Sequence, residues 1–431
     1  MASPHKAEVL VNVFQRDTLP NGLRVLRADM PQVQSVTCMI MLAAGSRYET
    51  RDTNGIAHFA EHMFFKGTEQ RPTAREIGME VDSLGGEFNA FTSKEYTGYY
   101  VRCAADYRER ALDVLVDMLR HSKFDPEEIE REKGVIVEEM NMYYDTPRDF
   151  IGGVYDQLLY GDQPLGWDVI GRKETIRGAT HQTFRDYVDR WYKPERMVVG
   201  IGGRLGGDEL ELVERLLGDL GEADTGAPDA VVANGNGSQV KIHHKDSDQA
   251  HLILGVRSYP MVHPDRWALQ LLSTVLGTGM SSRLFSEVRE RRGLAYYVYA
   301  HNQSYTDAGS LFSQAGVDIN RSEEAVETIV REFRKIADEP VPEDELEKAR
   351  ALAKGRFVLR LENPQGMIVF GLGREVLNDP VLEPDEVVAG IDAVTAEDVQ
   401  RVAQDIIASN GLKLALIGPF EDEKPFQGLL A

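Results

Sequence analysis

Short β-branched or alternating apolar runs and stretches with apolar residues three and four apart interleave along the chain, so strands and amphipathic helices share it. Ser35-Val36-Thr37-Cys38-Met39-Ile40-Met41-Leu42 and Gln239-Val240-Lys241-Ile242 read as strands. Residues 105–120, 126–143, 321–337 and 343–361 read as helices, with acidic residues in first turns, where they favour the helix dipole. These long helical patterns come in pairs and interrupt strands that can still lie antiparallel. The pattern therefore predicts an α+β fold of mainly antiparallel sheets with helices packed on one face. A dinucleotide-binding sheet is disfavoured. Gly200, Gly202 and Gly203 follow a strand, but no well-spaced acidic ribose ligand follows them, and a strand-ending turn accounts for the glycines.

The chain also resembles itself. A shift of 216 residues lays Pro126 on Pro342, each between two helical patterns, and lays the strand Met197–Gly203 on residues 413–419. Between the copies, residues 221–238 are crowded with Gly, Pro, Asn and acidic side chains and read as a linker. The expected organisation is a first domain over 1–220, a linker over 221–238 and a second domain, built on the same unit, over 239–431.

Composition narrows this picture. At 431 residues, the chain exceeds the size of a single core, which agrees with two domains. A net charge of −22 argues against a nucleic-acid partner. Cys38 and Cys103 sit in apolar, strand-like settings and suggest no disulfide framework. Met1 to Leu10 lacks signal-peptide and transit-peptide character, and no apolar run is long enough to span a bilayer, so a cytoplasmic protein of bacterial type is expected.

Candidate chemistry is concentrated in His58-Phe59-Ala60-Glu61-His62. On a helix, the two imidazoles share one face, with Glu61 beside them. Neutral imidazoles bind zinc while leaving a position open, and a neighbouring carboxylate can take the proton of an attacking water; this is an H-x-x-E-H pattern. Chance alone would produce such a match in about 2% of chains of this composition. A third ligand is therefore required. In the helix over 126–143, Ile136, Met140 and Tyr143 mark a buried stripe, and Glu132 and Glu139, seven apart, fall on nearly the same side, whereas Glu138 points elsewhere. Glu139 is the better inward ligand and Glu132 a supporting partner. A solvated acidic face comprising Glu130, Glu132, Glu138 and Glu139 is the competing reading.

Four longer stretches carry a family resemblance: residues 54–68 (NGIAHFAEHMFFKGT), 85–100 (GGEFNAFTSKEYTGYY), 130–147 (EREKGVIVEEMNMYYDTP) and 281–300 (SSRLFSEVRERRGLAYYVYA). Together they resemble the pitrilysin family of metallopeptidases, in particular its two-domain branch, which includes the mitochondrial processing peptidase β subunit and its bacterial relatives. The resemblance implies one Zn2+ per chain held by His58, His62 and Glu139, Glu61 as general base and Glu132 as a supporting acid, with a shift to Glu138 left open. It implies that Asn89-Ala90-Phe91 pairs through its backbone with an extended peptide. It also implies that Arg289 and Tyr296 reach toward substrate, with Arg291 and Arg292 as rivals for the arginine role.

Laying Gly277-Thr278 on Gly67-Thr68 puts Ala268, Leu271 and Leu272 where the first copy has His58, Glu61 and His62, so the second copy cannot bind zinc there. Relatives with four units close into a clamshell. By that resemblance, a two-unit chain is half a clamshell that forms a homodimer, with Arg289 and Tyr296 facing the partner's zinc. The expected activity is zinc-dependent endoproteolysis of peptides or unfolded segments. A preference for basic residues near the cut would suit Asp145 and Asp149. The alternative is a non-catalytic assembly subunit of the same fold.

Overall fold

The computed structural model describes residues 13–221, 226–232 and 238–430; Met1 to Leu10 and parts of the linker lie outside them. The first sheet contains β1 (Phe14–Thr18), β2 (Arg24–Asp29), β3 (Ser35–Leu42), β4 (Glu87–Thr92), β5 (Thr97–Ala104) and β6 (Met197–Gly203), in the order β1-β2-β6-β3-β5-β4. The second contains β7 (Val240–His244), β8 (Ala250–Ser258), β9 (Ala295–Ser304), β10 (Gly309–Val317) and β11 (Lys413–Gly418), in the order β7-β11-β8-β10-β9. With β1 set aside, the two orders are the same. The parallel pair in each, β2 with β6 and β7 with β11, occupies the same place, and the remaining pairs are antiparallel. The chain is thus α+β and built from one unit used twice. No helix of the described residues is long and apolar enough to cross a membrane.

One face of each sheet carries that unit's own helices. In the first, Ile56–Phe64 and Arg108–His121 rest on the sheet, and Pro126–Asp145 packs against Ile56–Phe64. In the second, Arg266–Gly277, Ser322–Asp338 and Ala396–Asn410 do the same. The opposite face of each sheet is covered by a helix of the other unit. Pro364–Glu375 lies across β2, β3 and β6, and Pro147–Tyr160 lies across β7, β8 and β11.

This exchange corrects the reading of two glycines. Gly200 and Gly202 are inside β6, not in a turn. A methyl group on Gly200 would lie 2.5 Å from Leu372 Cδ1 and 2.7 Å from Ile368 Cγ1, so glycine lets the visiting helix approach. Gly203, with φ +127°, is where the chain leaves the strand. The exchange also adjusts the internal alignment. Val198 faces the visiting helix while Val199 and Ile201 face the home core, but in β11 it is Ala415 and Ile417 that face the visitor. Since side chains alternate along a strand, β6 and β11 match with a one-residue offset from the 216 shift.

The β4–β5 and β9–β10 hairpins meet through a buried ion network. Arg47 donates to Glu95 at 2.6 Å and to Asp307 at 2.6 Å, and Glu95 accepts from the Thr306 backbone and hydroxyl. Arg47 also donates to the Asp229 carbonyl in the linker, at 3.1 Å.

Candidate metal and substrate site

The helix Ile56–Phe64 points its chemistry outward because its other side is so apolar. Ile56, Phe59, Ala60, Met63 and Phe64 are buried, with Phe59 edge-on to Phe184 and Phe64 edge-on to Tyr99. His58, Glu61 and His62 fall between them and are half-buried. The helix starts at Gly55, φ +103°, where a Cβ would meet Ile170 O at 2.9 Å. Its first turn is held by Glu49, a buried residue not anticipated from the sequence. The carboxylate accepts from Gly55 N at 2.9 Å, Ala57 N at 2.6 Å and Asn54 Nδ2 at 3.1 Å, satisfying donors that a helix start leaves open. Burial pushes the Glu49 carboxyl up to about 8, against the pull of these donors.

Glu139 approaches both imidazoles. Its Oε1 lies 3.7 Å from His58 Nε2 and its Oε2 lies 3.5 Å from His62 Nε2. One donor atom from each of the three residues falls within 4.8 Å of the others. These separations suit an ion: a tetrahedral zinc with bonds of about 2.1 Å sets its ligand atoms about 3.4 Å apart. Glu138 is exposed, and it is Glu139 that faces the histidines. Burial, reinforced by His62, lowers His58 to about 4, so its ring is neutral and available as a lone-pair donor at ordinary pH.

Glu132 is buried and takes the role of orienting group. Its Oε1 is 2.9 Å from His62 Nδ1 and its Oε2 is 2.5 Å from Lys66 Nζ. Burial raises the Glu132 carboxyl, but His62 and Lys66 together bring it below its ordinary range, so it stays ionised. An ionised acceptor on Nδ1 fixes a hydrogen there and leaves Nε2 free toward Glu139. Glu61 is raised by burial and accepts a short hydrogen bond from the Thr92 hydroxyl, which pulls the other way. Thr92 and Lys66 were not anticipated. Thr92 could have been found by parity, since it lies two residues after Ala90 on the face of β4 turned toward the helix.

β4 is the outer strand of its sheet, paired with β5 on one side. Asn89 is exposed, Ala90 turns toward the home core, and Phe91 turns to the opposite face, its ring over Gly98. A cavity of about 440 Å³ joins His58, Thr92 and Glu139 to Lys94, Asp156 and Asp168. Asp145 and Asp149 are not among its lining residues; Asp145 pairs with Lys245 at 3.4 Å. Besides Glu139, the acids of the cavity are Asp156, 3.3 Å from Lys94 Nζ, and Asp168, which accepts from the Tyr143 hydroxyl at 3.2 Å.

Arg289 and Tyr296 lie elsewhere. Arg289 sits in a stretch of π-helix, Phe285–Arg291, with its guanidinium 4.8 Å from the Phe285 ring centroid and 5.5 Å from that of Tyr296. Tyr296 is 76% exposed on β9. Among the described residues, neither contacts His58, Glu61, His62 or Glu139. Of the three arginines in this stretch, Arg291 pairs with Glu287 and Arg292 reaches Glu324 at 3.9 Å, while Arg289 forms no ion pair among the described residues.

Known proteins place the chain in a family. The family model described as Insulinase (Peptidase family M16) matches residues 24–171, and that described as Peptidase M16 inactive domain matches residues 178–352. Over 407 residues, 94% of this chain and 98% of the relative, the sequence is 36% identical to the uncharacterized zinc protease YmxG of Bacillus subtilis (strain 168). The chain belongs to the M16, or pitrilysin, family of peptidases. A second M16 relative, the uncharacterized zinc protease SCO5738 of Streptomyces coelicolor, is 34% identical over 97% of this chain and 92% of its own length. The M16 fold recurs in the crystal structure of a protease from Helicobacter pylori, with a TM-score of 0.89 at 24% identity, covering 95% of this chain and all of that one. A peptidase M16 inactive domain from Pseudomonas fluorescens superposes with a TM-score of 0.87 at 20% identity, over 95% of this chain and 98% of that one.

Proposed function

We propose that the chain is a zinc-dependent endopeptidase of bacterial cytoplasm, with one zinc per chain held by His58, His62 and Glu139. The observation that carries this reading is the convergence of two imidazole nitrogens and a carboxylate, with Glu61 on the same helix face. Bound there, zinc would supply Lewis acidity for a water and for a peptide carbonyl. Glu61 takes the proton of the attacking water and passes it to the leaving amine, and its upward displacement by burial suits a base that must also become an acid. Glu132 keeps His62 in the required tautomer. Substrate lies extended along the free edge of β4 at Asn89-Ala90-Phe91, where backbone pairing needs little side-chain selection. Asp156 and Asp168 favour basic residues close to the cut.

The division into 1–220, a linker over 221–238 and 239–431 gives the two units different work: the first cleaves and the second supplies substrate contacts. Arg289 and Tyr296 serve the zinc centre of a second copy, which fits their exposure. The test is a mixed-peptide digest read by mass spectrometry, with wild type, Glu61→Gln and a chelator. Cleavage by wild type alone supports the proposal. Cleavage that survives Glu61→Gln or chelation overturns it, and zinc-loaded wild type that cleaves nothing would favour an assembly role for the fold. Mixing Glu61→Gln with Arg289→Ala subunits tests the dimer: activity should return on mixing, and its failure to do so would remove the shared site.

A further inference from the structure

The place in the second unit that corresponds to the zinc cleft is itself a cavity, of about 730 Å³, between the helices Arg266–Gly277 and Glu343–Leu361 and strand β9. Its lining holds Arg266, Arg356, Arg360 and Arg374, and no carboxylate. In a chain of net charge −22, four guanidiniums collected in one cavity are a marked local reversal of sign. Arg374 is paired with Asp379 outside the lining. Arg266, Arg356 and Arg360 form no ion pair among the described residues, and Arg266 Nε is buried without a partner. Arg266 is held by its Nη1, which donates to the His263 carbonyl at 3.3 Å, and by the Trp267 ring 4.8 Å away, while Arg356 and Arg360 reach the cavity from exposed helix positions with no carboxylate to meet them. Like charges gathered at one place repel one another, and an anion with planar oxygens both relieves that repulsion and suits the guanidinium fork.

The position of the cavity narrows the occupant. β9 is an edge strand that borders both cavities: Ala300, His301, Asn302 and Ser304 line the arginine cavity, while Gln303 lines the zinc cleft. A chain can therefore pass from one to the other around a single unpaired strand. Phe357, which lines the arginine cavity, also belongs to the apolar cluster that contains Phe91 of the β4 edge. The cavity continues the track along which the proposed substrate lies.

We propose that the arginine cavity is an exosite that holds an acidic segment of the peptide substrate while a distant bond of the same peptide lies at the zinc centre. The proposal rests on the peptidase reading for the identity of its ligand as a substrate. Its test does not depend on cleavage. The probe is a fluorescein-labelled peptide ending in six glutamates, compared with the same peptide ending in six glutamines, bound to the zinc-loaded Glu61→Gln protein and followed by anisotropy. The glutamate form should bind about ten-fold or more tightly, and the advantage should shrink as salt rises. It should vanish in Arg356→Glu/Arg360→Glu, and in Arg356→Gln/Arg360→Gln, a milder pair at exposed helix positions that guards against a folding defect. Equal binding of the two peptides, or an advantage that survives both double variants, overturns the exosite. Pyrophosphate held by the same arginines more tightly than the glutamate peptide would overturn it in favour of a phosphate ligand. A wild type that binds the glutamate peptide through these arginines but cleaves no peptide would sink the peptidase reading and leave the anionic-peptide site standing.

Discussion

The two units place a helix, an edge strand and a second helix around a cleft in the same way, yet fill it with opposite chemistry. In the first, Ile56–Phe64 turns His58, Glu61 and His62 outward, and Glu132 and Glu139 answer from Pro126–Asp145. In the second, the corresponding Ala268, Leu271 and Leu272 are buried, and the shift of 216 that aligns the second helices puts Lys348 and Gly355 at the places of Glu132 and Glu139. Arginines then line the cavity. Substitutions on the helices that line the cleft separate a metal site from a cationic groove, while the sheet order that holds those helices in place is shared. The scaffold constrains where chemistry can occur, and not which chemistry it is.

Making the first unit resemble the second should have the largest effect. His62→Leu, copying Leu272, should eliminate zinc from the purified protein and reduce hydrolysis about a thousand-fold or more, as elemental analysis and a peptide assay would report. Retained zinc would mean that His62 is not a ligand. Next in size is Arg47→Ala, which strands Glu95 in the junction between the hairpins of the two units. Leaving one partner of a buried pair alone costs about 3–5 kcal/mol, to be read from urea unfolding. Glu132→Gln should preserve the fold but weaken zinc about 10–100-fold in competition with a chelator, since His62 would lose its charged support. Smallest is Gly200→Ala, where the added methyl presses on Leu372 and Ile368; a loss of about 1–3 kcal/mol is expected, with activity per folded molecule unchanged. A Gly200→Ala protein as stable as wild type would show that the visiting helix is less tightly seated than its contacts indicate.

Much of this was legible from residues alone where the determinants are local. β3 occupies the alternating stretch Ser35–Leu42, the helix Glu343–Leu361 has the bounds that its spacing predicts, and the phase of Ile136 and Met140 distinguishes Glu139 from Glu138. The helix expected from 105 begins at Arg108 because Ala105–Tyr107 first makes a tighter turn. What stayed hidden depends on distant partners. Glu49 has no periodic relation to the helix it caps, and nothing near Gly200 in the chain announces that a helix some way beyond the linker will press against it. For the same reason, Asp145 and Asp149 were legible as acids near the ligand helix, whereas Asp156 and Asp168 reach the cavity through the fold.

The reciprocal exchange of covering helices has a consequence for synthesis. As the chain leaves the ribosome, the first sheet can complete its hydrogen bonds once β6 has emerged, but Val198, Met39 and Met41 on its far face have no cover until Pro364–Glu375 is made. During that interval, the nascent protein exposes an apolar sheet face of the kind that chaperones bind and that aggregates other chains. Pro147–Tyr160 meanwhile waits, already translated, for a sheet that does not yet exist. The first unit is therefore not finished until most of the second has been made, and the second sheet still waits for β11 after that.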